Sequence, residues 1–204
     1  MATLDEKTVR RAARKLASID PSLSNVLNRF GTPPLWKRPA TYATFVRIIL
    51  EQQVSLASAK SVFDKLTRAC DGRITAPRII SLGDSLLRRQ GLSRQKARYT
   101  LALADDVVSR RFQIGSLRHQ TDEQARAMIT ARLGLGDWSA DVFLMMALMR
   151  TDLFPVGDLA LIKGMTQLDG GDYSSAETAI ERAERWRPYR SVATRMIWQL
   201  YLSK

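Results

Sequence analysis

Apolar residues recur along this chain at spacings of three and four almost throughout, and alternating β-branched runs are absent. That period predicts helices, punctuated by glycine, proline and short polar stretches. Residues 4–17 read as a basic amphipathic helix closed by Asp20-Pro21, and 22–30 as a second that stops at Gly31. The proline-rich stretch 33–39 is an irregular connector, where the chain crosses from one lobe to another. Thr41 caps a helix whose inner face carries Phe45, Ile48 and Ile49. Gln52-Gln53-Val54-Ser55 interrupts it, and Ser55 opens the next with Ala59, Val62, Phe63 and Leu66. Two short helices follow over 76–82 and 84–89, the second ended by Gly91, and Ser93 starts a longer one through Leu101, Ala104 and Val108. Thr121-Asp122-Glu123-Gln124 is a capping box, and the helix predicted over 138–149 is apolar on nearly every side, which suits a buried centre. Ser174-Ser175-Ala176-Glu177 reads as a second capping box, and Pro188 suits the first turn of a terminal helix carrying Val192, Met196, Ile197, Leu200 and Tyr201. The expected class is all-α, with short connections.

A chain of 204 residues can bury a real core as one compact domain or two interleaved lobes. Its 32 lysines and arginines against 20 acidic residues leave a formal charge of +12. The excess is spread over Arg10, Arg11, Arg14 and Lys15, then Arg88, Arg89, Arg94, Lys96 and Arg98, then Arg182, Arg185, Arg187, Arg190 and Arg195. No block is long enough for a disordered basic tail, so the charge describes a folded basic face suited to polyanions. A single cysteine, Cys70, excludes an intrachain disulfide, a four-cysteine iron–sulfur cluster and a cysteine zinc site. It follows the apolar run Val62, Phe63, Leu66 and belongs in the core, and the single His119 reads as a surface residue or phosphate contact. The first thirty residues are charged and no apolar run approaches a membrane span, which points to a cytoplasmic protein, nucleoid-associated in a bacterium.

Two segments bear chemistry. In Gly134-Leu135-Gly136, two glycines around one apolar residue make a tight turn between helices. The second helix then offers unpaired amides and a positive dipole end to a phosphate, although an ordinary helix–helix turn has the same spelling. Some twenty residues on, Phe154-Pro155-Val156-Gly157-Asp158 sets a carboxylate behind a Pro-Val-Gly turn. Asp158 reads either as a fixed reacting carboxylate or as the N-cap of the helix opened by Leu159-Ala160-Leu161.

With these two segments the chain resembles the helix-hairpin-helix DNA glycosylases, specifically their 3-methyladenine DNA glycosylase II branch. The family's hairpin, Leu-Pro-Gly-(Ile/Val)-Gly-x-(Trp/Lys)-(Thr/Ser)-Ala, is matched by Gly134-Leu135-Gly136-Asp137-Trp138-Ser139-Ala140, and its Phe-Pro-x-x-Asp-Leu by Phe154 to Leu159. Ile49-Leu50-Glu51-Gln52-Gln53-Val54-Ser55 is similar to its Gln-Gln-(Ile/Val)-Ser segment, and Gly91-Leu92-Ser93-Arg94-Gln95-Lys96-Ala97-Arg98-Tyr99 to its Gly-(Leu/Phe)-Ser-x-x-Lys-Ala-x-Tyr segment. Trp186-Arg187-Pro188-Tyr189-Arg190-Ser191 resembles its Trp-x-Pro-(Trp/Tyr)-Arg-(Ser/Gly) element. The five segments occur in order, across about residues 21–202.

The resemblance implies a two-lobed, all-α glycosylase without a β domain, one lobe from about 1–38 plus 165–204 and the other from about 40–160 with the hairpin at 132–137. It implies a monomer that holds damaged double-stranded DNA, turns the lesion out into the cleft between the lobes, and cleaves the glycosidic bond of alkylated purines such as 3-methyladenine. Asp158 is then the catalytic carboxylate. Trp138 stands where relatives such as endonuclease III carry the Schiff-base lysine, which implies a monofunctional enzyme, and its indole stacks on the everted base or closes the hairpin as core. Tyr42, Trp186 and Tyr189, together with Trp36, are pocket-lining or core aromatics. Gln53 is either the wedge that fills the vacated stack or part of a helix-breaking polar pair. Gly134, Leu135, Gly136, Ser139 and Lys163 are phosphate contacts by the same resemblance, Lys163 alternatively a solvated charge. No cofactor is required, and the backbone carbonyls of Thr130, Arg132 and Leu135 are expected to hold a structural Na+ or K+. Three departures stand out: Leu133 for the usual proline loosens the hairpin, Val142 replaces a pocket tyrosine of some relatives, and Asp137 weakens phosphate binding or turns its side chain away. Two rivals remain: a DNA-binding module that has lost turnover, and a bifunctional glycosylase/lyase for oxidised bases.

Overall fold

The structure is a computed structural model that describes residues 3–203. Its helices are α1 (Glu6–Ile19), α2 (Pro21–Phe30), α3 (Tyr42–Glu51), α4 (Leu56–Ala69), α5 (Ala76–Arg89), α6 (Arg94–Val108), α7 (Asp122–Thr130), α8 (Asp137–Met146), α9 (Leu159–Asp169), α10 (Ala176–Glu184) and α11 (Arg190–Leu202), with a 3₁₀ turn at Ile114–His119 between α6 and α7. No strand forms among the described residues, and one isolated bridge joins Thr3 to Arg150.

Local chemistry sets most of the helix starts. Ser55, Ser93 and Thr121 each accept a backbone amide three residues on, and Gln124 returns the favour to the Thr121 amide. The two short helices expected over 76–89 are the halves of α5, which bends at Gly83, where φ is +66°. Four expectations are corrected. Thr41 occupies the N-cap of α3 but makes no side-chain capping bond there. The helix expected over 138–149 stops at Met146, because the chain must turn back for the Arg150 amide to reach the Leu144 carbonyl, with Met149 in the left-handed region at φ +56°. The cap of α10 is Ser175 bonding the Thr178 amide, one residue later than a Ser174–Glu177 box. Pro188 lies outside α11, after a cis Arg187–Pro188 bond, because Tyr189 is the N-cap and the Asp152 carboxylate accepts the Arg190 amide.

The chain forms two compact units, residues 3–37 with 144–203 and residues 38–143. The return crossing thus falls inside α8, at 143/144 rather than near 160, because Leu144 and Met145 already bond Arg150 and Arg195 of the first unit. In that unit α11 is the central helix, with every residue from Ser191 to Trp198 buried, and α1, α2 and α9 pack on it. Gly164 lets α9 come close: a Cβ there would sit 2.6 Å from Ile197 Cγ2. In the other unit Phe45 stacks on Phe143 at 3.9 Å, Phe112 meets Phe45 edge-on, and Arg38 pairs with the buried Glu51 at 2.8 Å. No described helix is long and apolar enough to cross a membrane.

A buried charge network ties α2, α9 and α10 together. Asp20 is 2% exposed, caps α2, accepts the Trp186 indole N–H at 2.8 Å and pairs with Arg182 at 2.7 Å. The same guanidinium pairs with Asp169 and lies over the Trp186 ring. Burial alone would raise the Asp20 and Asp169 carboxyls, but Arg182 and the neighbouring N–H and O–H donors outweigh it and hold both below the ordinary 3.8. Depressed carboxyls contribute stability that is complete above 3.8 and lost as pH falls through their lower folded values. Arg182→Ala leaves Asp20 buried without its counter-charge and should cost about 3–5 kcal/mol in urea unfolding at pH 7. The acid loss of stability below the ordinary carboxyl range should shrink with it. A variant as stable as the parent at pH 7 would show the network to be energetically idle.

Candidate active site

The hairpin belongs to the unit of residues 38–143 and joins α7 to α8 through Arg132-Leu133-Gly134-Leu135-Gly136. The Leu135 amide donates to the Arg132 carbonyl at 3.1 Å, closing the turn, and the Leu135 side chain is buried. Gly134 is required twice over, with φ at +81° and an added Cβ falling 2.2 Å from the Tyr99 ring. Gly136 is exposed and faces open space, and α8 starts directly after it, which sets the positive dipole end of that helix beside an exposed residue. Asp137 is exposed with its carboxylate 3.8 Å from Arg126, a guanidinium that also pairs with the buried Asp141. Leu133 is exposed, and Val142 is buried.

The turn after α3 is bound to this hairpin. The Gln52 amide group donates to the Gly134 carbonyl at 2.9 Å and to Ser139 Oγ at 3.1 Å. Lys96, from α6, donates to the Leu50 and Gln52 carbonyls at 2.7 and 2.9 Å, an ammonium at the negative end of α3. Burial lowers its pKa. Between these two clamps Gln53 is exposed in the left-handed region at φ +56°, flanked by exposed Val54 and Leu56. Lys96 is therefore an internal brace rather than part of the basic face. Ser139 is likewise corrected: it is 2% exposed and its hydroxyl accepts from Gln52, so its side chain positions the hairpin and does not reach a phosphate.

In the other unit the Phe154-Pro155-Val156-Gly157 turn, closed by the Asp158 amide on the Pro155 carbonyl, delivers Asp158 to the N-cap of α9. Its Oδ1 accepts the Leu161 amide at 2.7 Å and the Trp198 indole N–H at 3.1 Å. Capping and a fixed carboxylate are thus one arrangement, in which two N–H donors at a helix N-terminus hold one carboxylate oxygen in place. Trp198 is 7% exposed and meets Trp36 edge-on at 6.2 Å, with Trp36 at φ +46°. Trp198 went unnoticed in the sequence, although a buried indole N–H requires an acceptor and so signals a partner.

The remaining aromatics divide. Trp138, in the first turn of α8, and Tyr189, the N-cap of α11, are half-buried. Tyr42 and Trp186 are not available as pocket walls. Tyr42 is buried with its hydroxyl donated to the Thr100 carbonyl, and Trp186 is fully buried with its N–H on Asp20. Both sit in the core because their polar tips found internal acceptors. Lys163 is exposed on α9 and His119 is exposed, accepting from Arg118. Cys70 is buried, and burial pushes its thiol up, away from nucleophilic use.

A family model described as HhH-GPD superfamily base excision DNA repair protein matches residues 46–188. YfjP of Bacillus subtilis, which carries a DNA-3-methyladenine glycosylase name, is 28% identical over 188 residues, covering 87% of this chain and 65% of its own length. The chain thus spans a little under two thirds of that relative. A DNA-3-methyladenine glycosidase of Bacillus halodurans superposes with a TM-score of 0.78 at 25% identity, over 100% of this chain and 94% of that one. The Schizosaccharomyces pombe 3-methyladenine DNA glycosylase Mag1, solved with abasic DNA, shares the fold with a TM-score of 0.81 at 19% identity, over 92% of this chain and 95% of its own. The stretch 46–188 takes in the Gln53 turn, the hairpin and Asp158, and is well over half of the 204 residues. The chain belongs to the HhH-GPD superfamily of base excision DNA repair proteins.

Proposed function

We propose that the protein is a monofunctional DNA glycosylase that hydrolyses the N-glycosidic bond of alkylated purines, such as 3-methyladenine, in duplex DNA. The observation that carries this reading is the Asp158 carboxylate, half-buried and held on one oxygen by two N–H donors. Breaking the bond between the sugar C1′ and the base leaves its electron pair on the base and positive charge on the deoxyribose. A fixed anion beside that charge stabilises the transition state without reorganising. Water then supplies the hydroxyl to C1′, and its proton passes to the carboxylate or to solvent. An alkylated base is already cationic, so no general acid is needed, in keeping with a chain whose one histidine lies outside the candidate site.

Trp138 has no amine, so no Schiff base forms at the hairpin and the strand stays intact. Its half-buried ring offers an electron-rich face to a cationic purine, a contact worth about 0.5–2 kcal/mol. The left-handed, exposed Gln53 is the wedge, and the amides from Gly134 to Gly136 grip phosphate. The exposed Lys163, in the other unit, is a separate phosphate contact. The carbonyls of Thr130, Arg132 and Leu135 suit a Na+ or K+ ion, being hard oxygen donors. That of Arg132 keeps a lone pair beyond its bond to the Leu135 amide. Such an ion would add positive charge beside the phosphate. The protein acts as a monomer in the cytoplasm, where Cys70 stays a thiol.

Duplex DNA treated with a methylating agent should release free methylated purines when incubated with the protein, as read by chromatography. Asp158→Asn, which keeps a capping side chain, should lower release by about 10²–10³-fold or more with DNA binding and helicity retained. Equal release by both would reduce Asp158 to a cap, and binding without any release would establish a non-catalytic module. Borohydride should trap no covalent complex, and a trapped one would restore the lyase reading. Trp198→Phe keeps the ring and removes one donor to a charged acceptor, so kcat should fall roughly 10- to 100-fold with KM unchanged. An unchanged kcat would show that the Leu161 amide alone suffices to orient the carboxylate.

A further inference from the structure

Three exposed arginines line one hollow of the surface. An open cavity of about 580 Å³ lies where α5 gives way to α6 and is lined by Ser85, Arg88, Arg89, Leu92, Ser93 and Arg94. All three arginines are exposed, and among the described residues none of their guanidiniums has a hydrogen-bond or ion-pair partner. Asp84, one turn before Arg88 and also exposed, makes no ion pair with it. Arg38, Arg126, Arg132, Arg182, Arg187 and Arg190 hold carboxylates, whereas these three leave their guanidiniums open on one hollow. Three like charges converging on one hollow repel each other unless an anion joins them. Guanidiniums match phosphate oxygens in pairs, and the two serines add hydroxyl donors.

The position of this hollow gives it a use. Lys96 lies two residues beyond Arg94, in the first turn of α6, and donates to the carbonyls of Leu50 and Gln52 at the root of the Gln53 turn. Whatever the arginines hold is thereby coupled through one helical turn to the candidate wedge and, through Gln52, to the hairpin.

We propose that Arg88, Arg89 and Arg94 form a second phosphate-binding site, which takes a phosphodiester of the DNA backbone and sets the register of Gln53 on the duplex. The ligand follows from the proposed function. The site itself rests on the cavity and its unpartnered arginines.

The test uses undamaged duplex DNA as the probe, with affinity followed by fluorescence anisotropy across a KCl series. The triple variant Arg88→Ala, Arg89→Ala, Arg94→Ala should bind less tightly, with the slope of log K against log salt flatter by about 1 for each arginine engaged. A control variant, Arg10→Ala, Arg11→Ala, Arg14→Ala, removes the same charge from exposed positions of α1 and should flatten the slope less than the first variant does. Equal effects in both variants, or none in the first, overturn the site, since only net charge would then matter. Inorganic phosphate at fixed ionic strength should displace DNA no better than chloride, and specific displacement lost in the triple variant would assign the pocket to a free anion instead. Release of methylated bases with an unchanged slope sinks the site alone. A flattened slope in a protein that releases no base sinks the excision reading alone.

Discussion

The unit that carries Asp158 is organised around a guanidinium with no carboxylate beside it. Arg195 is fully buried on α11 and donates to the carbonyls of Leu35, Met145 and Ser191, at 3.1, 2.7 and 2.9 Å. Burial pushes its pKa down to about 10, so the cation persists at neutral pH. A buried charge left short of acceptors costs several kcal/mol, which obliges all three segments to keep their places. The consequence runs along the chain. Leu35 precedes Trp36, which adopts a left-handed backbone and sets its ring edge-on to Trp198. Trp198 is three residues after Arg195 on the same helix, and its N–H reaches Asp158. Arg195 thus helps to fix the aim of the Asp158 carboxylate.

Residues 38–143 solve a similar problem with different groups. Gln53 occupies a backbone region that costs a non-glycine residue about 1 kcal/mol or more, and such strain persists only where the surroundings over-determine it. Lys96 supplies that constraint by holding the carbonyls of Leu50 and Gln52, and the Gln52 side chain completes it by gripping Gly134 and Ser139. On the proposed reading Gln53 is a wedge, which must not yield when it enters a base stack, because the free energy for extrusion would otherwise dissipate in the loop. The same bonds tie the hairpin to the Gln53 turn, so on that reading a grip on backbone phosphates, blind to sequence, also dictates where Gln53 enters.

What was legible in the sequence was local. Ser55, Ser93 and Thr121 cap as read because donor and acceptor lie three residues apart, and the Pro-Val-Gly-Asp turn announces its carboxylate for the same reason. The end of α8, the start of α11 and the partners of the site residues were not legible, because tertiary bonds decide them. Trp198 reaches Asp158 across 40 residues, Lys96 reaches Leu50 across 46, and Arg195 reaches Leu35 across 160. Periodicity places such side chains on a buried face but says nothing of their acceptors. Tyr42 and Trp186 failed as pocket walls on the same ground: a helix-spaced aromatic is core or cleft according to whether its polar tip is satisfied inside.

On the proposed reading charge is used in two regimes, and the separation bears on selectivity. On the outside, unpaired arginines act through screened, salt-dependent attraction, which draws any duplex equally. Inside, the Asp158 carboxylate acts at short range on charge that appears only as the glycosidic bond breaks. Neither regime reads the identity of a base. On the proposed reading, discrimination falls to the steps between them. A damaged base unstacks more cheaply, and once everted its positive charge gains from an aromatic face. Its own cationic leaving character then lowers the barrier that one carboxylate has to meet. An undamaged purine receives the same grip and the same carboxylate but lacks those three advantages. Selectivity of this kind needs no acid catalyst, only a site too weakly assisted to cleave a neutral base at speed.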